Sequence, residues 1–359
     1  MGDISYEDLR VAKVLQDKGF TSYDEVQGRS NIIRPFHILL SIFQIEIGAR
    51  ILPFVFGIIA AILFYLFIKN NETEEISFFI TAIFIFSPAF IYTFITSTKE
   101  SLAFVLLLTT LFLLLKFSGK FFYIAIFLGI LLPYFSPIAA IASVPLFFFF
   151  KKSTKEKITS YFVMGATILS IFLFPESRMF LQSEQNVFNI FITDFAAPIG
   201  FALFSVILAA IGLFSLLKRR KTVLDLIWPG FVLVLLTIFV SIEFNIYLNI
   251  LISFFAGYGF YYLLEREWNL HFIRQASIFL LVCGLIFSTF SYVNRISNDL
   301  PNENIRESML KIKAKTSENE VVFSHPSKSL WINYFAERKA YPDRFLFDSQ
   351  KNKTFEIVK

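Results

Sequence analysis

Acidic residues beside long apolar segments are the part of this sequence best suited to chemistry. Glu100 follows one such segment, Asp3 lies near the start of the chain, and Glu184 and Asp194 lie in the polar stretch 175–196. Charged groups near hydrocarbon are costly and usually have a functional reason. A carboxylate can accept a proton from a nucleophile or hold a cation. If these acids share one membrane face, they predict a base-assisted or metal-assisted site there.

Each of these acids also has an ordinary interpretation. Glu100 follows Lys99, so the two side chains could form a solvated ion pair or cap a helix. Asp3 could be a polar residue near a terminus, and Glu184 and Asp194 could be acids of an unremarkable loop. Residue type and spacing alone do not decide between these interpretations.

The composition requires a membrane around most of the chain. Of 359 residues, 56% are hydrophobic, 49 are Phe and only 17% are charged. A soluble domain cannot bury that much apolar surface. The net charge of +5 is carried by short clusters between apolar runs, which suits lipid headgroups and argues against a nucleic-acid partner. The single Cys283 excludes a disulfide framework and a thiolate metal site.

Apolar runs long enough to cross, or nearly cross, a bilayer recur along the chain. We identify them at 51–68, 76–95, 102–115, 121–133, 137–150, 158–174, 197–217, 223–241, 246–264 and 275–291. The fourth and fifth runs are short, and Pro133 and Pro137 separate them. The sequence therefore predicts an all-α polytopic membrane protein with about ten transmembrane helices.

Positive charge favours ten spans with the loop after Ile68 on the cytoplasmic side. The cytoplasmic turns then hold Lys69, Lys116, Lys120, Lys151, Lys152, Lys155, Lys157, Lys218, Arg219, Arg220, Lys221, Arg266 and Arg274. The short outer loops hold only Lys99 and Arg178. Both termini then lie on the extracytoplasmic side.

This topology predicts three parts of the chain. Residues 1–50 form an extracytoplasmic first loop, in which 35–47 is apolar but short and is interpreted as an interfacial helix. Residues 51–291 form the transmembrane helical domain, and 292–359 form a small soluble extracytoplasmic α/β domain. An outside N-terminus with no span before it leads us to expect a further helix encoded upstream.

The α/β interpretation of the tail comes from its local patterns. Residues 303–315 have helical spacing, 320–323 look like a strand, and 327–338 are helical again. Residues 341–343 predict a turn before a short apolar stretch, 345–347.

Short motifs along most of the chain point to a known family. They are Asp3-x-x-Tyr6-x-x-Leu9, Gly28-Arg29, Arg34-Pro35-Phe36, Ser87-Pro88-x-x-Ile91 with Glu100 some ten positions on, Ser329-Leu-Trp-Ile-Asn-Tyr334, Ala336-Glu-Arg-Lys339 and Asp343. In this order they resemble the C-type (GT-C) membrane glycosyltransferases, which include oligosaccharyltransferase catalytic subunits and protein mannosyltransferases. The tail motif is similar to the Trp-rich segment that opens the external domain of that family.

The resemblance implies an activity and the acids that serve it. The activity is transfer of a sugar from a polyprenyl-phosphate-linked donor to an acceptor on the extracytoplasmic face. Asp3 matches the first-loop acid, a base or acceptor-positioning group. Glu100 matches the second-loop acid, which helps hold a divalent cation such as Mn²⁺ or Mg²⁺ or orients the acceptor. Glu184 resembles the mobile-loop acid and is the second candidate metal ligand.

The resemblance also implies binding residues for the two substrates. The donor phosphate needs a positive partner on the outer face, and the candidates are Arg178, Arg295 and Arg338. The acceptor candidates are Trp331, Asn333 and Tyr334. Oligosaccharyltransferases have Trp-Trp-Asp-Tyr-Gly where this chain has Trp-Ile-Asn-Tyr-Phe, so recognition of a peptide sequon does not follow and the acceptor stays open.

Two other classes of function remain open at this stage. A transporter or flippase for a lipid-linked or small solute would use Gly/Pro-broken helices such as Trp228-Pro229-Gly230. Such proteins also carry ionisable residues in mid-span, whereas the predicted spans of this chain are nearly free of charge. A non-catalytic relative in a glycan-assembly complex would suit the small number of acids.

Overall fold

A computed structural model describes residues 3–21, 23–116, 120–150, 162, 165–166, 190–219, 223–318, 320–325 and 328–341. Helices make up most of these residues. The first eight are α1 (Asp3–Lys18), α2 (Pro35–Ile42), α3 (Ile45–Lys69), α4 (Glu74–Ile85), α5 (Pro88–Ile95), α6 (Lys99–Lys116), α7 (Lys120–Phe135) and α8 (Pro137–Phe149). The others are α9 (Leu203–Arg219), α10 (Val223–Phe239), α11 (Phe244–Glu265), α12 (His271–Asp299), α13 (Glu303–Lys315) and α14 (Ser329–Trp331). The prediction of a mainly helical protein is confirmed.

The described strands are short and form two separate pairs. Tyr23–Asp24 (β1) and Arg29–Ser30 (β2) are antiparallel. Val321–Phe323 (β3) and Lys339–Tyr341 (β4) are parallel, with Val322 opposite Ala340. The second pair gives the tail its small α/β character.

Several described helices are suited to a bilayer. Three helical segments are long and apolar enough to cross one: α3, α11 and the segment that begins with α12. The pair α4 and α5, bent by 60°, makes a fourth if it is one broken span. The chain is therefore an integral membrane protein. The sequence predicts ten spans, which is more than the three or four segments of the described chain that are long and apolar enough to cross a bilayer.

The short runs before and after Pro137 form two separate helices. Ser136 ends α7 and caps α8, where its Oγ accepts a hydrogen bond from the backbone N–H of Ala139 at 3.1 Å. Pro137 takes the first helical position, where its missing N–H costs nothing. The two helices pack against each other. The run 158–174 lies almost wholly outside the described residues.

The described chain divides into two compact units. The first contains residues 1–52, 96–99 and 295–359, and the second contains 53–95 and 100–294. In the second unit α11 packs against α4, α5, α8, α9 and α10. Gly212 of α9 and Gly259 of α11 permit this approach, because a Cβ on either would collide with backbone atoms of the facing helix.

The bend between α4 and α5 has its polar groups satisfied by neighbouring side chains. Thr289 Oγ donates to the freed carbonyl of Phe86 at 2.7 Å. Ser87 Oγ donates to Phe84 O at 2.8 Å and accepts from Asn249 Nδ2 at 2.7 Å. Inside a membrane such compensation is required wherever helical hydrogen bonding is broken.

The first unit has a small apolar core of its own. Met309 of α13 packs with Ile332, Ala336 and Ala340. A π-helical turn over Ile332–Ala336 follows α14. The segment predicted as one helix, 327–338, therefore contains a short helix and a wide helical turn. The turn ends at Glu337, whose backbone lies in the left-handed region with φ 52°. The predicted interfacial helix 35–47 ends at Ile42, before a break that precedes α3.

Candidate functional site

Glu100 lies in the first turn of α6 and is 2% exposed. Ser136 Oγ donates to Glu100 Oε1 at 2.6 Å, and Tyr247 Oη donates to Oε2 at 2.5 Å. The Tyr247 ring lies 5.6 Å from that of Phe104, which fixes it beside the same helix. We refer to Glu100, Ser136 and Tyr247 as the Glu100 cluster. Its carboxylate is held by two neutral hydroxyl groups in a buried setting.

The elements around this cluster explain why its side chains converge. Ser136 is fixed by its capping position at the start of α8, and Tyr247 lies in the first turns of α11, the most buried span. Asn245, two residues earlier, donates from Nδ2 to the carbonyls of Ile190 and Ile199, both at 2.7 Å. These bonds tie the start of α11 to the segment before α9.

A second buried carboxylate, Asp8, lies in the first unit on α1 and is 3% exposed. His37 Nε2 lies 2.9 Å from Asp8 Oδ1, and the backbone N–H of Lys99 donates to Oδ2 at 2.9 Å. Burial raises the pKa of the Asp8 carboxyl, but the Lys99 charge, the hydrogen bond from His37 and the Lys99 amide together lower it to about 2. We refer to Asp8, His37 and the Lys99 amide as the Asp8 cluster.

The hydrogen bonds of His37 fix its tautomer. The backbone N–H of Arg34 donates to His37 Nδ1 at 3.1 Å, so Nδ1 carries no hydrogen. We therefore assign the proton to Nε2, which donates it to Asp8. His37 is 3% exposed and also closes the first turn of α2.

The acceptor candidates lie together in the first unit. Trp331 is 8% exposed and Asn333 2% exposed, and within the described part of the chain neither Trp331 Nε1 nor Asn333 Oδ1 has a hydrogen-bond partner. The Tyr334 ring makes edge-to-face contacts with those of Tyr6 and Phe335, at ring distances of 5.4 and 5.0 Å. Burial and, next, the charge of Glu46 raise the pKa of Tyr334.

The basic candidates have different surroundings. The Arg338 guanidinium donates to the carbonyls of Lys313, Thr316 and Glu337 and to Thr316 Oγ1, at 2.7 to 3.1 Å. These bonds close the C-terminal end of α13. Arg295 is half-buried near the end of α12. Arg178 lies outside the described residues.

The two acids predicted to hold a metal, Glu100 and Glu184, are not both among the described residues. Glu184 lies outside the described residues, and of Asp3 only its backbone, at the start of α1, is described. Among the described residues no three His, Cys, Asp or Glu side chains are grouped as metal ligands would be. Both Glu100 oxygens already accept hydrogen bonds. The described residues do not by themselves complete a set of metal ligands, and we derive no step through a cation.

The structure therefore groups the predicted residues only in part. Trp331, Asn333 and Tyr334 occupy one segment, which α1 contacts, whereas Glu100 lies in the second unit with Ser136. Asp194 binds the backbone N–H of Leu203 through Oδ2 at 2.7 Å.

Sequence reasoning missed four residues of the two clusters: Asp8, His37, Ser136 and Tyr247. A usable signal existed for His37, because a histidine within the apolar helix α2 must find a polar partner.

Comparison with known proteins identifies the fold. No protein-family model matches the sequence, and no curated protein does. The structure is similar to the crystal structure of the apo oligosaccharyltransferase of Archaeoglobus fulgidus, with a TM-score of 0.64 at 12% identity. The match covers 96% of this chain and 61% of that one. The fold is thus similar to that of this archaeal oligosaccharyltransferase, which confirms the resemblance at the level of the fold.

Other structures of that protein, AglB, give the same result. The complex of AglB with an inhibitory peptide and a dolichol-phosphate matches with a TM-score of 0.62 at 12% identity, over 95% of this chain and 60% of that one. The form tethered to an acceptor peptide with the NVT sequon matches at 0.62 and 11% identity, with the same coverage. This chain spans about three fifths of the length of these proteins.

Proposed function

We propose that this protein is a membrane glycosyltransferase that moves a sugar from a polyprenyl-phosphate-linked donor to an acceptor on the extracytoplasmic face. The observation that carries the proposal is the match of almost the whole chain to AglB, a protein whose structure binds a dolichol-phosphate and a peptide. The apolar helices support a donor whose tail lies in lipid.

The reaction needs groups of two kinds. The acceptor atom attacks the anomeric carbon of the sugar, the bond from that carbon to the phosphate oxygen breaks, and the lipid phosphate leaves with the electron pair. A carboxylate takes the acceptor proton, and a cation steadies the departing phosphate. In this proposal Asp3 is the base and Glu100 orients the acceptor.

The phosphate and acceptor sites follow from the surroundings of the candidates. Arg338 already donates to four oxygens, so the proposal keeps Arg295 and Arg178, the latter outside the described residues, as the candidates for the donor phosphate. The unpartnered Trp331 Nε1 and Asn333 Oδ1 support an acceptor with both donor and acceptor groups.

The topology belongs to the proposal as well. Ten spans with the lysine and arginine clusters on the cytoplasmic side put residues 1–50 and 292–359 outside, as the charge bias favours. Residues 51–291 are then the transmembrane domain, and the soluble tail with β3 and β4 is extracytoplasmic.

The test is a transfer assay with the matched variant Glu100→Gln. Purified protein is incubated with polyprenyl-phosphate-linked sugars, with and without Mn²⁺ or Mg²⁺, and released polyprenyl phosphate is measured. We expect turnover to fall about 100-fold in the variant, because a displacement of about 1 Å in a positioned substrate can cost roughly 10²-fold.

The control is Glu75→Gln, which removes an exposed acid from the first turn of α4 and should leave turnover unchanged. Full activity of Glu100→Gln would remove Glu100 from the mechanism. Absence of turnover with every donor would contradict the proposal and favour a transporter or a non-catalytic relative.

A further inference from the structure

A cavity lined by three tyrosines and two charged residues lies beside the last two turns of α11, within the second unit and away from the Glu100 cluster. Its wall on α11 consists of Tyr258, Tyr261, Tyr262 and Glu265. These residues have the spacing i, i+3, i+4 and i+7, so they form one continuous face of the helix. Three aromatic rings and a carboxylate are thereby turned toward the same space.

Two neighbouring helices complete the cavity. Ser215 of α9 and Ile76 of α4 line the opposite walls, and Arg266 closes the end where α11 stops. The volume is about 170 Å³. A water molecule occupies about 30 Å³ of liquid, so the space exceeds that of a single ion and suits a small organic group.

Within the part of the chain that the structure describes, the two charges of the cavity are not neutralised by an oppositely charged side chain. Glu265 Oε1 accepts a hydrogen bond from Tyr261 at 2.6 Å, which orients the carboxylate without neutralising it. The Arg266 guanidinium lies 5.8 Å from the centre of the Trp268 ring. Across the described ranges neither Glu265 nor Arg266 forms an ion pair, with the other or with a third residue.

This set of groups matches a ligand with one positive and one negative end. Tyrosine faces and a carboxylate attract an ammonium group, by cation–π and ionic attraction. A guanidinium binds a phosphate with directed hydrogen bonds. Because α11 is a candidate span of 22 residues, its last turns lie where headgroups lie.

We propose that this cavity binds the headgroup of a zwitterionic phospholipid, with its ammonium group among the three tyrosines and Glu265 and its phosphate at Arg266. The site is separate from the proposed transfer reaction and does not depend on it. A tyrosine belt alone would favour no headgroup, whereas this arrangement of charges favours an ammonium over a neutral headgroup.

The experiment measures headgroup preference directly. Full-length protein is placed in nanodiscs of equal amounts of phosphatidylethanolamine and phosphatidylglycerol with identical acyl chains, and co-purified lipid is counted by native mass spectrometry. We expect at least a threefold excess of phosphatidylethanolamine. Glu265→Gln should bring the ratio close to one, and Arg266→Gln should reduce both lipids.

Matched variants distinguish lipid binding in the cavity from a general effect of surface charge. Glu267→Gln removes an exposed acid outside the cavity and should keep the threefold ratio. Tyr262→Phe should keep it and Tyr262→Leu should lose it, because the aromatic face attracts the ammonium group. Equal retention of both lipids by the unmodified protein, or an unchanged ratio in Glu265→Gln, would overturn the assignment.

One further arm tests the source of the headgroup. Soluble phosphoethanolamine is added to protein in phospholipid-free detergent and its binding is followed by calorimetry. We expect binding at least tenfold weaker than that of the lipid, since the acyl chains supply the rest. Equal affinity would assign the cavity to a soluble ligand and contradict the lipid proposal.

Discussion

Asp8 in the first unit and Glu100 in the second are both carboxylates with no more than 3% exposure, yet different groups hold them. Asp8 binds an imidazole and a helix amide, near the charge of Lys99. Glu100 binds two hydroxyl groups, and no ion pair of its carboxylate occurs in the described part of the chain.

This difference separates a carboxylate suited to structure from one suited to chemistry. The donors of Asp8 stabilise its charged form, so it is a poor proton acceptor at neutral pH. Hydroxyl groups are weaker partners that can turn and donate elsewhere when a substrate arrives. We therefore expect stability to depend mainly on the Asp8 cluster and turnover mainly on the Glu100 cluster.

The largest expected effect on stability is that of Asp8→Asn. The new amide can still accept from Lys99, but its Nδ2 then faces the Nε2–H of His37, and two donors repel. His37 cannot exchange tautomers without opposing the Arg34 N–H. We expect a loss of about 3 kcal/mol, as for a buried pair left without a partner, measured by thermal unfolding in detergent.

The control for this change is Asp17→Asn, an exposed acid on the same helix, which should alter stability by less than about 0.5 kcal/mol. An Asp8→Asn protein as stable as the original would show that the Asp8 cluster is not a structural anchor.

A smaller effect should separate the two donors of Glu100. Tyr247→Phe keeps the ring and removes one hydrogen bond, which should cost about 1 kcal/mol and lower kcat more than it raises KM. Ser136→Ala also removes the cap of α8 and should cost about 2 kcal/mol. Stability is measured by denaturant unfolding, and turnover by release of lipid phosphate.

Ser143→Ala is the control, because among the described residues this buried hydroxyl bonds only within its own helix, to Ala140 O at 2.7 Å. If Ser143→Ala lowers kcat as much as Tyr247→Phe does, the hydroxyl bonds to Glu100 have no special role in turnover.

Local patterns explain why parts of the fold could be predicted from the sequence. Helix α13 was predicted with the bounds it has, because Asn302 caps its start and lysines fill its last turn. The strand at 321–323 was also expected. Its partner β4 was not, since a parallel pair joins residues 18 positions apart that carry no common pattern.

The candidate site depends on contacts that no local pattern reports. Asp8 meets His37 across 29 positions and Lys99 across 91, and Glu100 meets Tyr247 across 147. The acid at Glu100 could be found from its place after an apolar run, whereas its partners depend on how α6, α8 and α11 pack. Asp3 stays a prediction, as its side chain is not described.

The smallest expected effect is the part of the pH dependence of stability that Asp8 contributes. Its pKa is about 2 in the folded protein, against an ordinary value of 3.8, so its contribution is nearly complete above about pH 4 and is lost as the pH falls toward 2. Between pH 6 and pH 3 this linkage amounts to about 1 kcal/mol of the free energy of unfolding.

Glu337 is also held near a pKa of about 2, since the bonds from Lys13 and Lys313 outweigh its burial, and contributes with the same sign. Denaturant unfolding at pH 6 and pH 3 should therefore give a difference to which both carboxylates contribute, and Asp8→Asn should reduce that difference by about 1 kcal/mol. An unchanged difference in Asp8→Asn would mean that the Asp8 carboxylate is no more stabilised by its partners than one in water, and the contrast with Glu100 would disappear.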